Sequence, residues 1–505
     1  MLKTVVAFAA LALASTATQA KPTLRADVDT WRATHERQVL EEFEALLKLP
    51  DVATNVPDIE ANARVLVPML EKRGLKARLL SAGPNTPPAI YAEMTVPGAK
   101  RTVVYYAHYD GQPVTPSQWR SAPFTPTMRD GLSGKDVDWR AASGPLNPEW
   151  RLFARSAGDD KASIIALLSA LDALKASGRK PSVNVKVFLD GEEEQGSPHL
   201  EAILKANRDL LKSDLWVIGD GPVHQSRRWE LFFGARGVTG VEMTIYGPAR
   251  ALHSGHYGNW APNPAVMAAE LVASMRDSDG RILVTGYSDH VRPISPAERA
   301  ALDALPDVES DLKQELQLGR SEGSERLSDS LMRPALNVRG ISVGKTGEEA
   351  ANAVPTEAHV SIDLRLVPDL TPEEAQGKIE GFLKAKGWTV VHDAPDASTR
   401  MTSPRLVRLQ WEAGYPALRT DMALPASKAL IASVERANGG PVVVMPMLGG
   451  SVPMYLFADI FKTPVVGLPI ANHDDNQHAS NENLRLQNLW DGIDEYAAVL
   501  ADFRW

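Results

Sequence analysis

The run Thr102-Val103-Val104-Tyr105-Tyr106-Ala107 is almost continuously apolar and stops at His108-Tyr109-Asp110-Gly111. A strand without alternation has both faces covered, as in the middle of a parallel sheet. Parallel neighbours need crossover connections, usually helical, and the chain supplies them. Residues 31–49 and 59–73 read as amphipathic helices. Residues 161–177 set Ile164, Leu167, Leu168, Leu171 and Leu174 on one helical face and close at Gly178. Further strands are expected over 183–189, 214–219 and 463–470, with a helix over 424–438. Strands alternating with helices give an α/β fold: a mostly parallel sheet with helices on both faces.

A chain of 505 residues exceeds the length one hydrophobic core usually serves, and the pattern changes after Arg236-Gly237. A strand over 237–247 and a helix over 263–275 come first. Residues 281–333 form an acidic, partly helical stretch. From Glu357 to Leu366 the alternation is strict, with Ala358, Val360, Ile362, Leu364 and Leu366 on one face. Thr371-Pro372-Glu373-Glu374 is a capping box with proline at the first helical position, and a last strand follows over 388–391. We read 21–234 and 416–505 as two parts of one domain, and 235–415 as an inserted two-layer α/β domain.

Formal net charge is -9 with no basic block, which argues against nucleic acid or an anionic membrane surface as partner. Residues 1–20 carry Lys3, an apolar stretch from Val5 to Ala14 and Thr18-Gln19-Ala20. This is the pattern of an export signal, although a buried N-terminal helix would share its apolar core. No other stretch reads as a membrane anchor, so the expected product is exported, periplasmic or secreted. The chain has no cysteine, so a bound metal would be held by His, Asp and Glu, which suits zinc or manganese better than copper.

The polar residues at the strand ends are the chemically informative ones. His108 and Asp110 follow one strand, Glu192-Glu193-Glu194 another, and Asp220 a third; His478 lies in the loop after a fourth. Asp159 and Asp160 precede a helix, whose N-terminus favours anions. Singly, each has a plain reading: a solvated acidic loop, a surface HxD, an N-cap, a loop histidine. Together they mark the carboxyl end of the sheet, where ligands of open α/β folds bind.

The ordered motifs HYDGQPV (108–114), GDDKAS (158–163), GEEEQGS (191–197), GDGP (219–222), ALHSG (251–255) and DDNQHASNE (474–482) resemble the dinuclear zinc metallopeptidase superfamily of carnosinases, aminoacylases and glutamate carboxypeptidases. Within it the carnosine dipeptidase and cytosolic non-specific dipeptidase branch is most similar, through RILVTGYSDHVRPISPAE (281–298) and SIDLRLVP (361–368). The resemblance implies two divalent ions per chain, zinc first, with manganese or cobalt accepted by the same ligands. His108, Asp159 and Asp220 would hold one ion, and Asp159, Glu194 and His478 the other. Asp110 would orient the His108 ring, Glu193 would be the general base towards a water bridging the two ions, and Glu192 would be structural. A cis peptide after Asp159 is also implied.

In the inserted domain the resemblance makes His253 an oxyanion donor and Asn352 a contact, both reaching the partner's active site in a homodimer. Arg365, with the backbone of Gly449, Gly450 and Ser451, would hold the substrate's terminal carboxylate. The implied function is a metal-dependent exopeptidase acting on dipeptides or short peptides with a free C-terminal carboxylate. An N-acyl-amino-acid deacylase on the same site is the alternative, and a non-catalytic peptide-binding protein a third reading. Three departures touch the loop beside the metals: Phe153-Ala154-Arg155-Ser156 stands where glycines are usual, Ala162 follows the lysine, and the stretch from Trp119 to Phe153 is longer than is common.

Overall fold

The computed structural model describes residues 23–505; the export segment expected over residues 1–20 lies outside them. The larger sheet has eight strands in the order Lys76–Leu80, Ala89–Met94, Asn184–Asp190, Thr102–His108, Leu215–Ile218, Val465–Gly467, Glu230–Phe232, Val443–Met445. Its middle four strands, from Asn184–Asp190 to Val465–Gly467, run parallel. On the Lys76 side the pairing turns antiparallel; the outer pair, Lys76–Leu80 with Ala89–Met94, is joined by a connection short enough for a hairpin.

The Thr102–His108 strand shows why its sequence lacks alternation. Val103, Tyr105 and Ala107 enter one apolar cluster with Ile164, Leu168 and Leu489. Val104 and Tyr106 enter another with Leu200, Leu204 and Phe457. Each face of the strand is therefore buried under its own helical layer: Lys161–Ala176 and Leu486–Ala501 on one side, Leu200–Ala206 and Met454–Phe461 on the other. Trp216 stacks on Phe457 at 4.4 Å between ring centroids. The helix expected from Trp31 begins earlier and runs Leu24–Leu47, because the Thr23 side chain caps it by accepting from the Ala26 N–H.

A second sheet of five strands runs in the order Ala335–Ser342, Glu357–Leu366, Gly237–Tyr246, Leu406–Trp411, Thr389–Val391. The alternating strand buries Ala358, Val360, Ile362, Leu364 and Leu366, against Leu271 of the helix Pro264–Met275 and Ile379 of the helix Pro372–Ala385. The capping box at Thr371 and Glu374 is formed in both directions. The stretch 281–333 holds the short helices Pro296–Asp303, Glu309–Glu315 and Leu327–Ser330.

A third, small sheet matters most for the site. Arg151–Phe153 lies between Asn483–Arg485 and Thr127–Arg129. It draws the turn after Phe153 against the loop before Asn483, two segments more than three hundred residues apart in the chain.

Candidate metal centre

The large sheet delivers its strand ends to one place. His108 ends its strand fully buried, with its backbone N–H donating to Asp160 Oδ2 at 3.3 Å. Its ring Nδ1 donates to the Asp110 carbonyl at 3.1 Å and lies 3.4 Å from Asp110 Oδ1. That fixes the proton on Nδ1 and turns Nε2 towards the acids, 2.7 Å from Asp159 Oδ1. The Asp159–Asp160 peptide is cis. Asp159 Oδ2 accepts from Gln477 Nε2 at 2.8 Å and lies 3.2 Å from His478 Nε2, which in turn is 3.4 Å from Glu194 Oε2.

The three glutamates separate by their partners. The Asp110 carboxylate accepts the backbone N–H groups of Glu193 at 3.1 Å and Glu194 at 3.0 Å, so both side chains leave one tight turn into the cluster. Glu192 faces away and accepts from the His199 N–H at 2.7 Å and its ring at 2.8 Å. Gln112 Nε2 donates to Glu194 Oε2 at 2.7 Å.

Ligand atoms of His108, Asp159 and Glu194 lie within 4.8 Å of one another, and so do those of His108, Glu193 and Asp220. All five residues expected as ligands are thus brought together. The partition differs from the expected one in two respects. Glu194 sits with His108 as well as with His478, and Glu193, expected as the base, sits with His108 and Asp220. The shared Asp110 anchor explains this, because it aims two adjacent glutamates at the same space.

The donor set fits divalent cations. Among the ion pairs of the described residues, no lysine or arginine reaches Asp110, Asp159, Glu193, Glu194 or Asp220. Lys161, next in sequence, is buried and pairs with Asp51 at 2.6 Å. Burial and the neighbouring Asp159 push Glu194 up to about 8 and Asp220 up to about 6. Burial likewise raises Glu193 well above the usual range, against the pull of His108. Burial opposes a charged His108, yet the Asp159 and Asp110 carboxylates outweigh it and raise the ring well above the histidine range. Acids raised in this way are crowded together without a matching cation, and hard or borderline cations supply that positive charge through oxygen and imidazole ligands.

The substrate-contact residues fall into two groups. Arg365 donates from Nε to Asp363 Oδ2 at 3.0 Å and from Nη1 to Ser451 Oγ at 2.9 Å. Among the hydrogen bonds of the described residues, the backbone N–H groups of Gly449, Gly450 and Ser451 donate to no protein atom. Arg236 lies near Arg365; burial, then that second guanidinium, pushes it down to about 10. A cavity of about 300 Å³ opens beside Pro222 and Gly449, walled by Val308, Leu327, Leu331 and Leu448. His253 and Asn352 are placed elsewhere. They adjoin a two-stranded ribbon in which His253 pairs with Ala353 and Ser254 N–H donates to the Asn352 carbonyl. The His253 ring is exposed against His256, and among the hydrogen bonds and ion pairs of the described residues none joins His253 or Asn352 to the acidic cluster.

Three polar residues escaped the sequence reading although their motifs were in view: Gln112, Gln477 and Glu482. Gln112 and Gln477 each lie within a few residues of an expected ligand, which is a usable signal for side chains that orient it. The departing loop is accommodated by conformation, since Ser156 takes φ +62°, the left-handed region glycine usually occupies.

Over residues 104–502 the chain matches the family described as Peptidase family M20/M25/M40. It is 26% identical over 467 residues to the Cys-Gly metallodipeptidase dug1 of Schizosaccharomyces pombe, covering 88% of this chain and 91% of that protein. It is 28% identical over 428 residues to the Beta-Ala-His dipeptidase of Rattus norvegicus, covering 83% and 80%. Among solved structures, an M20 family metallo-carboxypeptidase from Sulfolobus solfataricus superposes with a TM-score of 0.73 at 28% identity, covering 92% of this chain and 98% of that one. With that match spanning most of its length, and with most of the family motifs ending at one acidic cluster, this chain belongs to peptidase family M20/M25/M40.

Proposed function

We propose that this protein is a metal-dependent dipeptidase that requires a free C-terminal carboxylate on its substrate. The observation that carries the reading is the convergence of His108, Asp159, Glu194, Asp220 and His478, unneutralised by any lysine or arginine among the described residues. These five would hold two divalent ions, zinc first and manganese or cobalt as accepted substitutes, with Asp159 shared. When bound, such a pair supplies Lewis acidity that polarises the peptide carbonyl and eases deprotonation of water at neutral pH.

The chain's own groups do the rest. Glu193 takes a proton from the attacking water and passes it to the departing amine. Asp110 holds Glu193 and Glu194 through their backbone N–H groups, and Arg365 with the unpaired N–H groups of Gly449, Gly450 and Ser451 grips the carboxylate. The 300 Å³ cavity beside Gly449 supports acceptance of an apolar side chain. His253 and Asn352, unconnected to the cluster of their own chain, serve the site of a second copy. The segment 235–415 acts as lid and dimerisation unit, and residues 1–20 direct export. Among the described residues no helix is long and apolar enough to cross a membrane.

Chelator-treated protein, tested on a dipeptide panel and on N-acetyl amino acids before and after adding back zinc, manganese or cobalt, tests this reading. Dipeptide cleavage that disappears with the metal and returns with it is the expected outcome. Cleavage indifferent to chelation ends the proposal, and a preference for N-acyl substrates would make the protein a deacylase instead.

A further inference from the structure

We infer that Glu482 is a positioning residue: it fixes the turn carrying Asp159, and so preorganises the acidic cluster before any cation arrives. This rests on the reading that the cluster holds divalent ions. The Glu482 carboxylate is completely buried. Its Oε1 accepts from the backbone N–H groups of Gly158 at 2.9 Å and Asp159 at 3.0 Å; its Oε2 accepts from Ser156 N–H at 2.9 Å and from Arg155 Nη1 at 2.7 Å. Four donors on two oxygens come from one five-residue turn, three of them backbone.

Backbone N–H groups pointing into one space form a nest that attracts an anion. A competing anion within the turn is Asp159 itself, since aspartate side chains readily capture neighbouring backbone N–H groups. With Glu482 in the nest, the Asp159 carboxylate is free to face His108, His478 and Gln477 instead. Glu482 also lies four residues beyond His478, so a single carboxylate ties the loop of one candidate ligand to the turn of another. Its charge is not added to the cluster, because buried Arg155 offsets it while lying over the Trp119 ring at 5.1 Å and donating to the Ala479 carbonyl at 3.3 Å. The acids of the cluster have no such arginine, which separates a holding carboxylate from ligating ones.

The test is calorimetric titration of the metal-free protein with Mn²⁺ and with Zn²⁺, for wild type, Glu482→Gln, Glu482→Asp and the double variant Glu482→Gln/Arg155→Met. Glutamine puts donors where Ser156 N–H and Arg155 need an acceptor, and the double variant removes the stranded guanidinium. Wild type is expected to bind two ions. Glu482→Gln and the double variant, folded by circular dichroism, are expected to bind at least one ion about tenfold or more weakly, with Glu482→Asp in between. A folded variant that binds two ions as wild type does overturns this inference alone; a wild type that binds no ion overturns the reading of the cluster too. Hydrogen exchange on metal-free wild type needs no variant. Amides of Ser156, Gly158 and Asp159 should be protected without metal, and free exchange there until metal is added would mean that the cation, not Glu482, sets the turn.

Discussion

Replacing Arg365 with methionine should erase the enzyme's preference for a free carboxylate terminus. Two of the five guanidinium N–H groups are engaged, Nε by Asp363 and Nη1 by Ser451, which leaves three donors on an arm already held in place. The side chain is 34% exposed, so a ligand can reach it, and solvent screens part of the charge. A hydrogen bond to a charged group is worth about 1.5–3 kcal/mol. Two of them to a carboxylate, discounted for screening, give about 2–3 kcal/mol, or roughly 30- to 150-fold in kcat/KM. The assay compares a dipeptide with its C-terminal amide on wild type and on Arg365→Met. Wild type should favour the acid by about that factor, and the variant should lose it on the acid while the amide changes little. Equal losses on both substrates would refute the carboxylate role and leave Arg365 as a structural partner of Asp363 and Ser451.

Glu193→Gln separates a base from a ligand, because the structure groups Glu193 with His108 and Asp220. As the base, it should lower kcat by about a hundredfold or more with both ions retained on elemental analysis, whereas loss of an ion would make it a ligand. Mixing inactive Glu193→Gln with inactive His253→Ala subunits should restore part of the activity, since a hybrid dimer holds one site with an intact Glu193 and a partner's intact His253; no recovery after verified subunit exchange would place His253 in its own chain's site or outside catalysis. Away from the cluster, burial pushes the Glu230 carboxyl up to about 8, against the His224 N–H. A folded value above the unfolded one, about 4.3, means that this group's stability contribution is fully present below about pH 4.3 and is lost as pH rises through about 8, at about 1.4 kcal/mol per pH unit between the two. Glu230→Gln should therefore gain about 3 kcal/mol on wild type between pH 5 and 7 in urea unfolding; stability curves that stay parallel would contradict it.

The parts of the fold that could be read from sequence were those whose residues carry a strong local pattern. The unbroken apolar run at Val103 to Ala107, the alternation from Ala358 to Leu366 and the Thr371 capping box each dictate a local conformation, and the structure has all three. The small sheet of Thr127–Arg129, Arg151–Phe153 and Asn483–Arg485 was not legible, because three residues show no period and their partners lie far away in the chain. The strand Lys76–Leu80 is mostly solvent-facing at the sheet's edge, so burial leaves little mark on its sequence. In the site, the residues at strand ends could be anticipated because the sheet alone places them. Glu482 could not, since an acid in a polar loop looks the same whether it faces water or accepts three N–H groups across more than three hundred residues. The grouping of the acids depends on how Asp110 anchors the Glu193-Glu194 turn, which no spacing rule contains.

Anomalous diffraction at the zinc or manganese edge, from crystals of the reconstituted protein, addresses the cluster head-on. Two peaks about 3.5–4 Å apart, bounded by His108, Asp159, Glu194, Asp220 and His478, are expected. A lone peak, or density for these side chains with the metal bound somewhere else, would contradict a two-ion site.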